Sequence, residues 1–85
     1  MLTFHRDEGF IHCDTLEEAL LYKRDKFITV DGEWYRITGT MKDFGGGWFV
    51  VLKQSKRPRG VEPLRNHSTL GDGKLRVDPS PDEST

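Results

Sequence analysis

The chain has 85 residues, of which 34% are hydrophobic and 32% are charged, and its formal net charge is −1. This length and composition predict one small domain with a thin core, and no apolar run approaches the ~20 residues that span a bilayer. The first ten residues lack the basic start and apolar stretch of a secretory signal. The lone cysteine, Cys13, cannot form an internal disulfide. We therefore expect a cytoplasmic protein with no membrane partner.

Charge divides the chain into three segments. Residues 1–52 carry six Lys/Arg and nine Asp/Glu, a net of −3, and residues 53–77 carry seven and two, a net of +5. Residues 78–85 carry three acids and no base. The pattern predicts an α+β core domain over residues 1–53 and a basic, partly ordered extension over 54–77 that can add a strand or hairpin. The last segment, 78–85, is predicted to be a disordered acidic tail.

Two short segments with apolar residues open the chain. Residues 2–5 and 10–13 flank a turn-prone segment, Arg6–Gly9, and this pattern predicts two short strands or one bent strand.

The next segment, residues 14–26, is the one convincing helix in the sequence. Asp14 can cap its first turn, and Glu17 follows at the spacing of a capping box. Apolar side chains recur at helical spacing, and acids precede bases along the segment. A helix of about eleven residues is marginal alone, so it should dock on a sheet.

Residues 27–38 predict a hairpin with Asp31-Gly32 at its tip, because this pair supplies the positive φ angles of a type I′ turn. A two-residue loop places Val30 opposite Glu33. The better candidate for the core is then the face carrying Ile28, Val30, Tyr35 and Ile37. The other face carries Phe27, Thr29, Trp34, Arg36 and Thr38.

Gly45–Gly47 lead into a further predicted strand, residues 48–53, and two pairings are open. A five-residue loop places Met41 opposite Phe49 and Gly39 opposite Val51, and it adds these four residues to the core face. Trp48, Val50 and Leu52 then lie on the second face, whereas a four-residue loop exchanges the two sets. In both cases the strand is apolar on both sides, which is typical of a central strand.

No pattern of residues indicates chemistry. The glycines precede a strand rather than a helix and no Lys-Ser/Thr pair follows, so they predict a turn and not a phosphate site. His5, His12, Cys13 and His67 lack the tight pairing of zinc ligands. His12 points away from Cys13 in a strand, so it is poorly placed as its base. We therefore predict no catalytic residues, no metal, no cofactor and no small-molecule substrate.

These elements predict an α+β fold. We expect a small three- to five-stranded, mostly antiparallel sheet, which can curl toward a barrel, packed with one α-helix and followed by a polar C-terminal tail. Residues 68–77 can form a short hairpin around Gly71–Gly73 or supply one closing strand.

The predicted function is that of a small non-enzymatic binding module, a regulator or inhibitor that docks on another protein or on a second copy of itself. Aromatic residues of the sheet are the expected contacts. The candidate partner-binding residues are Phe27, Trp34, Arg36, Trp48 and Phe49. The alternative is a nucleic-acid-binding protein that uses the sheet aromatics and the basic segment 53–59. Its candidate phosphate contacts are Lys53, Lys56, Arg57 and Arg59.

Overall fold

The computed structural model describes residues 2–78, and the acidic tail predicted over 78–85 lies outside this range except for Asp78. The described chain contains seven β-strands, one short α-helix and a 3-10 turn at Gly71–Gly73. The elements are β1 Leu2–His5, β2 Phe10–Cys13, α1 Leu16–Leu20, β3 Phe27–Val30, β4 Glu33–Lys42, β5 Trp48–Gln54, β6 Asn66–Thr69 and β7 Lys74–Asp78.

The strands form one closed barrel in the order β1-β2-β5-β4-β3-β6-β7. Leu2 of β1 pairs with Leu75 of β7 to close it. All neighbouring pairs are antiparallel except β3 and β6, which run parallel through Thr29–Asn66 and Val30–His67. The sheet is mostly antiparallel, as expected, but the expected count of three to five strands is wrong, because both N-terminal strands and the β6–β7 hairpin join it. Closure gives every strand of the described chain two neighbours.

The β3–β4 hairpin confirms the register predicted from Asp31-Gly32. Val30 pairs with Glu33 and Ile28 with Tyr35, and both turn residues have positive φ, 52° for Asp31 and 83° for Gly32. The predicted core face is also confirmed, because its four side chains, Ile28, Val30, Tyr35 and Ile37, are buried in the barrel.

The β4–β5 pairing confirms the five-residue loop but reverses the faces expected with it. Gly39 pairs with Val51, whereas Ile37 pairs with Leu52. Thr38 is therefore an extra residue, a β-bulge, and its Oγ1 donates to the carbonyl of Val51 at 3.2 Å. The bulge shifts side-chain alternation by one residue, so the expected core face of Gly39, Met41, Phe49 and Val51 is wrong. Val50 and Leu52 of β5 face the interior instead.

The helix is shorter than predicted and begins later. Thr15, rather than Asp14, is the N-cap, and its side chain accepts from the Glu18 backbone N–H while the Glu18 carboxylate accepts from the Thr15 backbone N–H. The capping box is thus displaced by one residue from the predicted spacing. The helix ends at Leu20, and buried Ala19 and Tyr22 turn inward against the barrel.

Buried polar groups occupy one side of the interior, where β6 contributes His67 rather than an apolar residue. Nδ1–H of His67 donates to the carbonyl of Thr29 at 2.9 Å, so Nε2 accepts from the Tyr22 hydroxyl at 2.7 Å. Burial lowers the pKa of His67 below its ordinary value of 6.5 and raises that of Tyr22. Both groups are therefore neutral and mutually satisfied near neutral pH.

None of the helices among residues 2–78 has the length and apolar character needed to cross a membrane.

Candidate functional site

The outer surface of β1, β2, β5 and β4 carries a contiguous set of aromatic and apolar side chains. Strand pairing sets Phe10 beside Val51 and His12 beside Phe49, while Phe49 also pairs with Met41. Their sequence neighbours Ile11, Cys13 and Val50 point into the core, so these residues point outward. We call the set of His5, Phe10, His12, Met41, Phe49 and Val51 the outer aromatic face.

Ring contacts run without a gap across the outer aromatic face. The ring centroids of His5 and Phe10 are 4.5 Å apart, those of Phe10 and Phe49 are 4.4 Å apart, and those of His12 and Phe49 are 5.5 Å apart. At its β4 margin, Met41 is 59% exposed. Phe10, His12, Phe49 and Val51 are half-buried, so the face is a packed surface with an exposed apolar margin at Met41. Exposed apolar patches typically mark interaction sites.

The glycine loop, Asp43–Gly47, lies at one end of this face and is fixed by hydrogen bonds. The Asp43 backbone N–H donates to the Gly47 carbonyl at 3.1 Å, and the Gly46 N–H donates to the Asp43 carbonyl at 3.0 Å. The Asp43 carboxylate also accepts from the Gly45 N–H at 2.9 Å. This bonding confirms a turn that feeds a strand.

His12 joins the glycine loop to β2. Its Nε2 lies 2.9 Å from the carbonyl of Gly46, which can only accept, so this nitrogen carries the proton. The same nitrogen is 3.4 Å from the Asp43 carboxylate. Phe44, between these bonded residues, is fully exposed. The loop therefore projects an aromatic ring into solvent from a defined backbone.

The sequence-predicted partner residues are distributed over three places. Phe49 lies in the outer aromatic face, whereas Trp48 turns inward and packs on the core beside Cys13. Phe27 and Trp34 contact each other on the outer side of β3 and β4, with centroids 6.3 Å apart, and both are half-buried.

Arg36, the remaining predicted partner residue, lies in register with Phe27 on the same side of the sheet. Its guanidinium donates to the Asp25 carboxylate at 2.8 Å. Arg36 thus already has an ionic partner within this chain.

The basic residues proposed for nucleic acid flank β5 and the connection that follows it. Lys53 pairs with Arg36 in the barrel, and Lys56, Arg57 and Arg59 lie in the connection between β5 and β6. All four side chains are exposed and form no ion pair within residues 2–78. Residues Arg57–Glu62 also line a recess of about 400 Å³.

The connection between β5 and β6 begins and ends at the Phe27–Trp34 pair. The Ser55 N–H donates to the carbonyl of Trp34 at 3.0 Å, and the Leu64 N–H donates to the carbonyl of Phe27 at 2.7 Å. This second aromatic site therefore adjoins the basic connection.

Phe10, Met41 and Phe44 belong to the candidate site but were not predicted to do so. Side chains alternate along β2, so Phe10 and His12 lie on the opposite side from Ile11 and Cys13. This alternation would have placed Phe10 outside if β2 had been expected to line a barrel. Phe44 carries a local signal, because a large apolar side chain is unusual in a loop of Asp and Gly.

The cysteine and histidines considered as reactive groups or metal ligands from the sequence form no reactive cluster among residues 2–78. Cys13 is fully buried, and burial raises the pKa of its thiol to about 11, so the thiol is protonated at neutral pH. Among residues 2–78, no three His, Cys, Asp or Glu side chains are grouped to hold a metal ion.

Comparison with protein-family models, with curated proteins and with solved structures finds no match to this chain.

Proposed function

We propose that this protein is a small non-enzymatic binding module that docks on another protein through the outer aromatic face and the adjoining Phe44. The observation that carries the proposal is the unbroken run of outward-facing rings, bordered by exposed Met41 and fully exposed Phe44. In this closed barrel every strand already pairs with two neighbours, which leaves little edge for a partner strand. Association therefore uses side chains of the outer surface.

The glycine loop favours binding because it is ordered before a partner arrives. Immobilising a flexible loop on binding reduces affinity, and here hydrogen bonds from Asp43 and His12 already fix the backbone around Phe44. Burying one Phe side chain contributes roughly 1.5–3 kcal/mol. Phe44 is thus well placed to act as an anchor at the end of the outer aromatic face where His12 pairs with Phe49.

Capture from lysate of cells that naturally express the protein tests this proposal. The baits are the full chain, Met41→Lys, Phe44→Ser and a control, Leu70→Lys. Leu70 is an exposed apolar residue next to β6, away from the outer aromatic face. We expect Met41→Lys and Phe44→Ser to lose the proteins that wild type and Leu70→Lys retain. Identical sets captured by all four baits would refute the proposal.

A second candidate function is binding of single-stranded nucleic acid, favoured by basic residues that lie beside the Phe27–Trp34 pair and form no ion pair within residues 2–78. Aromatic rings next to free Lys and Arg are the usual elements of such sites. The test is fluorescence anisotropy with a labelled oligothymidine at low salt and at about 0.2 M salt, since phosphate contacts weaken as salt rises. We expect the triple variant Lys53→Ala, Arg57→Ala, Arg59→Ala to bind less tightly. An absence of binding by wild type at low salt would eliminate this candidate.

A further inference from the structure

We propose that the β6–β7 hairpin, residues 66–78, is a flap that His67 holds closed and that opens in mildly acidic solution while β1 to β5 stay folded. Three features of the hairpin support this proposal: its two short seams with the rest of the barrel, its small share of the apolar core, and the one titratable ring that it buries. The flap is separate from the outer aromatic face, which is carried by β1, β2, β4 and β5.

The hairpin is a unit in both sequence and space. β6 and β7 are the last two strands of the described chain, and they lie side by side between β3 and β1 in the barrel. Without them the sheet is β1-β2-β5-β4-β3, in which every neighbouring pair is antiparallel. The hairpin can therefore swing away without breaking a pairing between the strands that remain.

Both seams that hold the hairpin are short. β5 pairs with β4 along its whole length, and within the hairpin β6 pairs with β7 along its whole length. The residue pairs that join the hairpin to β3 and β1 are Thr29–Asn66, Val30–His67, Leu2–Leu75 and Thr3–Lys74. The β3–β6 seam is also parallel, a pairing that is slightly less stable per residue. Opening thus separates few paired residues of the described chain.

The hairpin contributes little to the apolar core. Its one buried apolar side chain is Leu75, whereas Val77 is 38% exposed and β6 has no apolar residue. The other buried apolar residues of the described chain all lie between Leu2 and Leu52. A segment with few buried apolar contacts opens at a lower free energy than the whole domain. The hairpin should therefore open before the sheet of β1 to β5 unfolds.

His67 occupies the inward position at which β6 meets β3. Its side chain is 2% exposed, and its two ring nitrogens are bonded to the Thr29 carbonyl and the Tyr22 hydroxyl. Neither ring nitrogen is bonded to a carboxylate in the closed barrel. Burial in this site lowers the pKa of His67 below 6.5, so the closed flap keeps the ring neutral.

The groups around His67 give a protonated ring little compensation. The titratable and charged groups that face the site are Tyr22 after α1, Arg65 before β6 and Asp78 at the end of β7, with Cys13 and Glu18 around Tyr22. Arg65 opposes a positive charge on the ring, whereas Asp78 favours one. The Asp78 carboxylate, however, already accepts from Ser68 at 2.7 Å and from Arg76 at 3.2 Å.

Opening transfers the ring to water, where its pKa returns to about 6.5. The open flap then takes up a proton at a pH at which the closed flap does not. The ratio of open to closed flap is therefore constant well above pH 6.5 and rises as pH falls below it. For a single ring that stays neutral in the closed barrel, this ratio increases about tenfold between pH 7.5 and 5.5.

The other side-chain bonds across the β3–β6 seam do not titrate in this range. The Thr29 hydroxyl donates to the Asn66 side chain at 2.6 Å, a bond between neutral groups. The Asp31 carboxylate accepts from the hydroxyl and the backbone N–H of Thr69, and these bonds hold the pKa of Asp31 below its ordinary value of 3.8. Asp31 is consequently ionised at pH 5.5 as at pH 7.5. His67 is then the group at this seam whose charge changes.

Hydrogen exchange of the full chain, followed amide by amide by NMR at pH 7.5 and 5.5, tests the proposal. Protection is the intrinsic exchange rate divided by the measured rate, which removes the direct effect of pH on exchange. We expect the amides of β6 and β7 to be less protected than those of β4 and β5 at both pH values, because the flap opens on its own. Between pH 7.5 and 5.5 the protection of the hairpin should fall about tenfold.

Two variants assign this response to His67. His67→Gln keeps a side-chain donor and acceptor but does not titrate in this range, so the loss of hairpin protection in acid should disappear. The double variant His5→Gln, His12→Gln leaves His67 as the only histidine of the chain and should respond to acid as wild type does. Because the double variant retains His67, it decides the question even where His67→Gln fails to fold.

Either of two results would overturn the proposal. One is a wild-type hairpin whose amides are as protected as those of β4 and β5 at both pH values, because the barrel then opens only as a whole. The other is a loss of hairpin protection in acid that persists in His67→Gln or is absent from the double histidine variant, since another group then controls the opening.

Discussion

Replacing each glycine of the Gly45–Gly47 loop by alanine tests whether the loop is a rigid turn or a flexible hinge. Gly47 has a φ of 83°, and a Cβ there would lie 2.5 Å from the Cys13 carbonyl oxygen and 2.7 Å from His12 Nε2. Gly46 has a φ of 116° but open space around a Cβ, and Gly45 has neither a positive φ nor a contact closer than 3.5 Å. The three positions thus differ in strain and crowding while sharing one loop.

The structure gives each substitution a different magnitude. Positive φ costs a non-glycine residue about 1–2 kcal/mol, and this strain alone applies to Gly46→Ala. Gly47→Ala adds about 1–3 kcal/mol for forcing a methyl group against a backbone carbonyl, and about 1 kcal/mol when displacement of His12 breaks its bond to Gly46. We expect Gly47→Ala to lower the free energy of unfolding by about 4 kcal/mol. Gly45→Ala should stay within about 0.5 kcal/mol of wild type.

Urea unfolding followed by tryptophan fluorescence measures this series, because Trp48 directly follows the loop and packs on the core. A domain of this size has a total stability of roughly 4–13 kcal/mol, so the loss at Gly47 should be large or complete. The predicted order would be refuted if Gly47→Ala destabilised the protein no more than Gly46→Ala. That result would mean that the loop moves away from β2 in solution.

Four further predictions concern the interior and the hairpin tip. The pKa of His67 is lowered in the folded state, so the unfolded chain binds the extra proton as pH falls. The free energy of unfolding, measured in urea, should therefore decrease as pH drops below 6.5. Tyr22→Phe should lower the free energy of unfolding by about 1–3 kcal/mol at pH 7.5, because it leaves Nε2 of His67 unpaired. Cys13 should react with a disulfide reagent at pH 8 about 10³-fold or more slowly than a peptide cysteine, because labelling requires opening of the barrel; rapid labelling of native protein would contradict its burial. The Asp31 carboxylate accepts hydrogen bonds from the backbone N–H and the hydroxyl of Thr69 at 2.9 and 2.6 Å. Asp31→Ala should therefore lower the urea midpoint more than Asp31→Asn, because the amide keeps one acceptor oxygen. Equal midpoints would show that these bonds add no stability.

Local chemistry determined the elements that could be predicted from sequence. The Asp31-Gly32 pair specifies its own turn geometry, and a two-residue turn fixes the register of both strands. The two short N-terminal strands and the hairpin around Gly71–Gly73 also formed as the local pattern indicated. Each of these features depends on contacts between residues close in sequence.

Closure of the barrel depends instead on distant contacts that no local pattern records. Strand β6 reaches β3 through pairs such as Val30–His67, which are far apart in the chain. Its sequence, Asn66–Thr69, is polar and has no apolar residue to mark an inward face. His67 can face the interior only because Tyr22 and Thr29 satisfy both of its ring nitrogens, and that arrangement exists only in the folded chain.

The composition of the outer aromatic face depends on the β-bulge at Thr38, which no local sequence pattern predicts. Strand β5 is apolar on both sides, so either Val50 and Leu52 or Phe49 and Val51 could fill the interior. The bulge at Thr38 determines which pair is inside. Before the bulge, Ile37 is buried and pairs with Leu52. After it, Gly39 pairs with Val51 on the outer surface. The second apolar side of β5, which predicted a central strand, therefore faces outward, where the ring of Phe49 contacts that of Phe10. A strand apolar on both sides usually has both covered, and the half-buried Phe49 and Val51 on the outer side are the residues that we propose a partner covers.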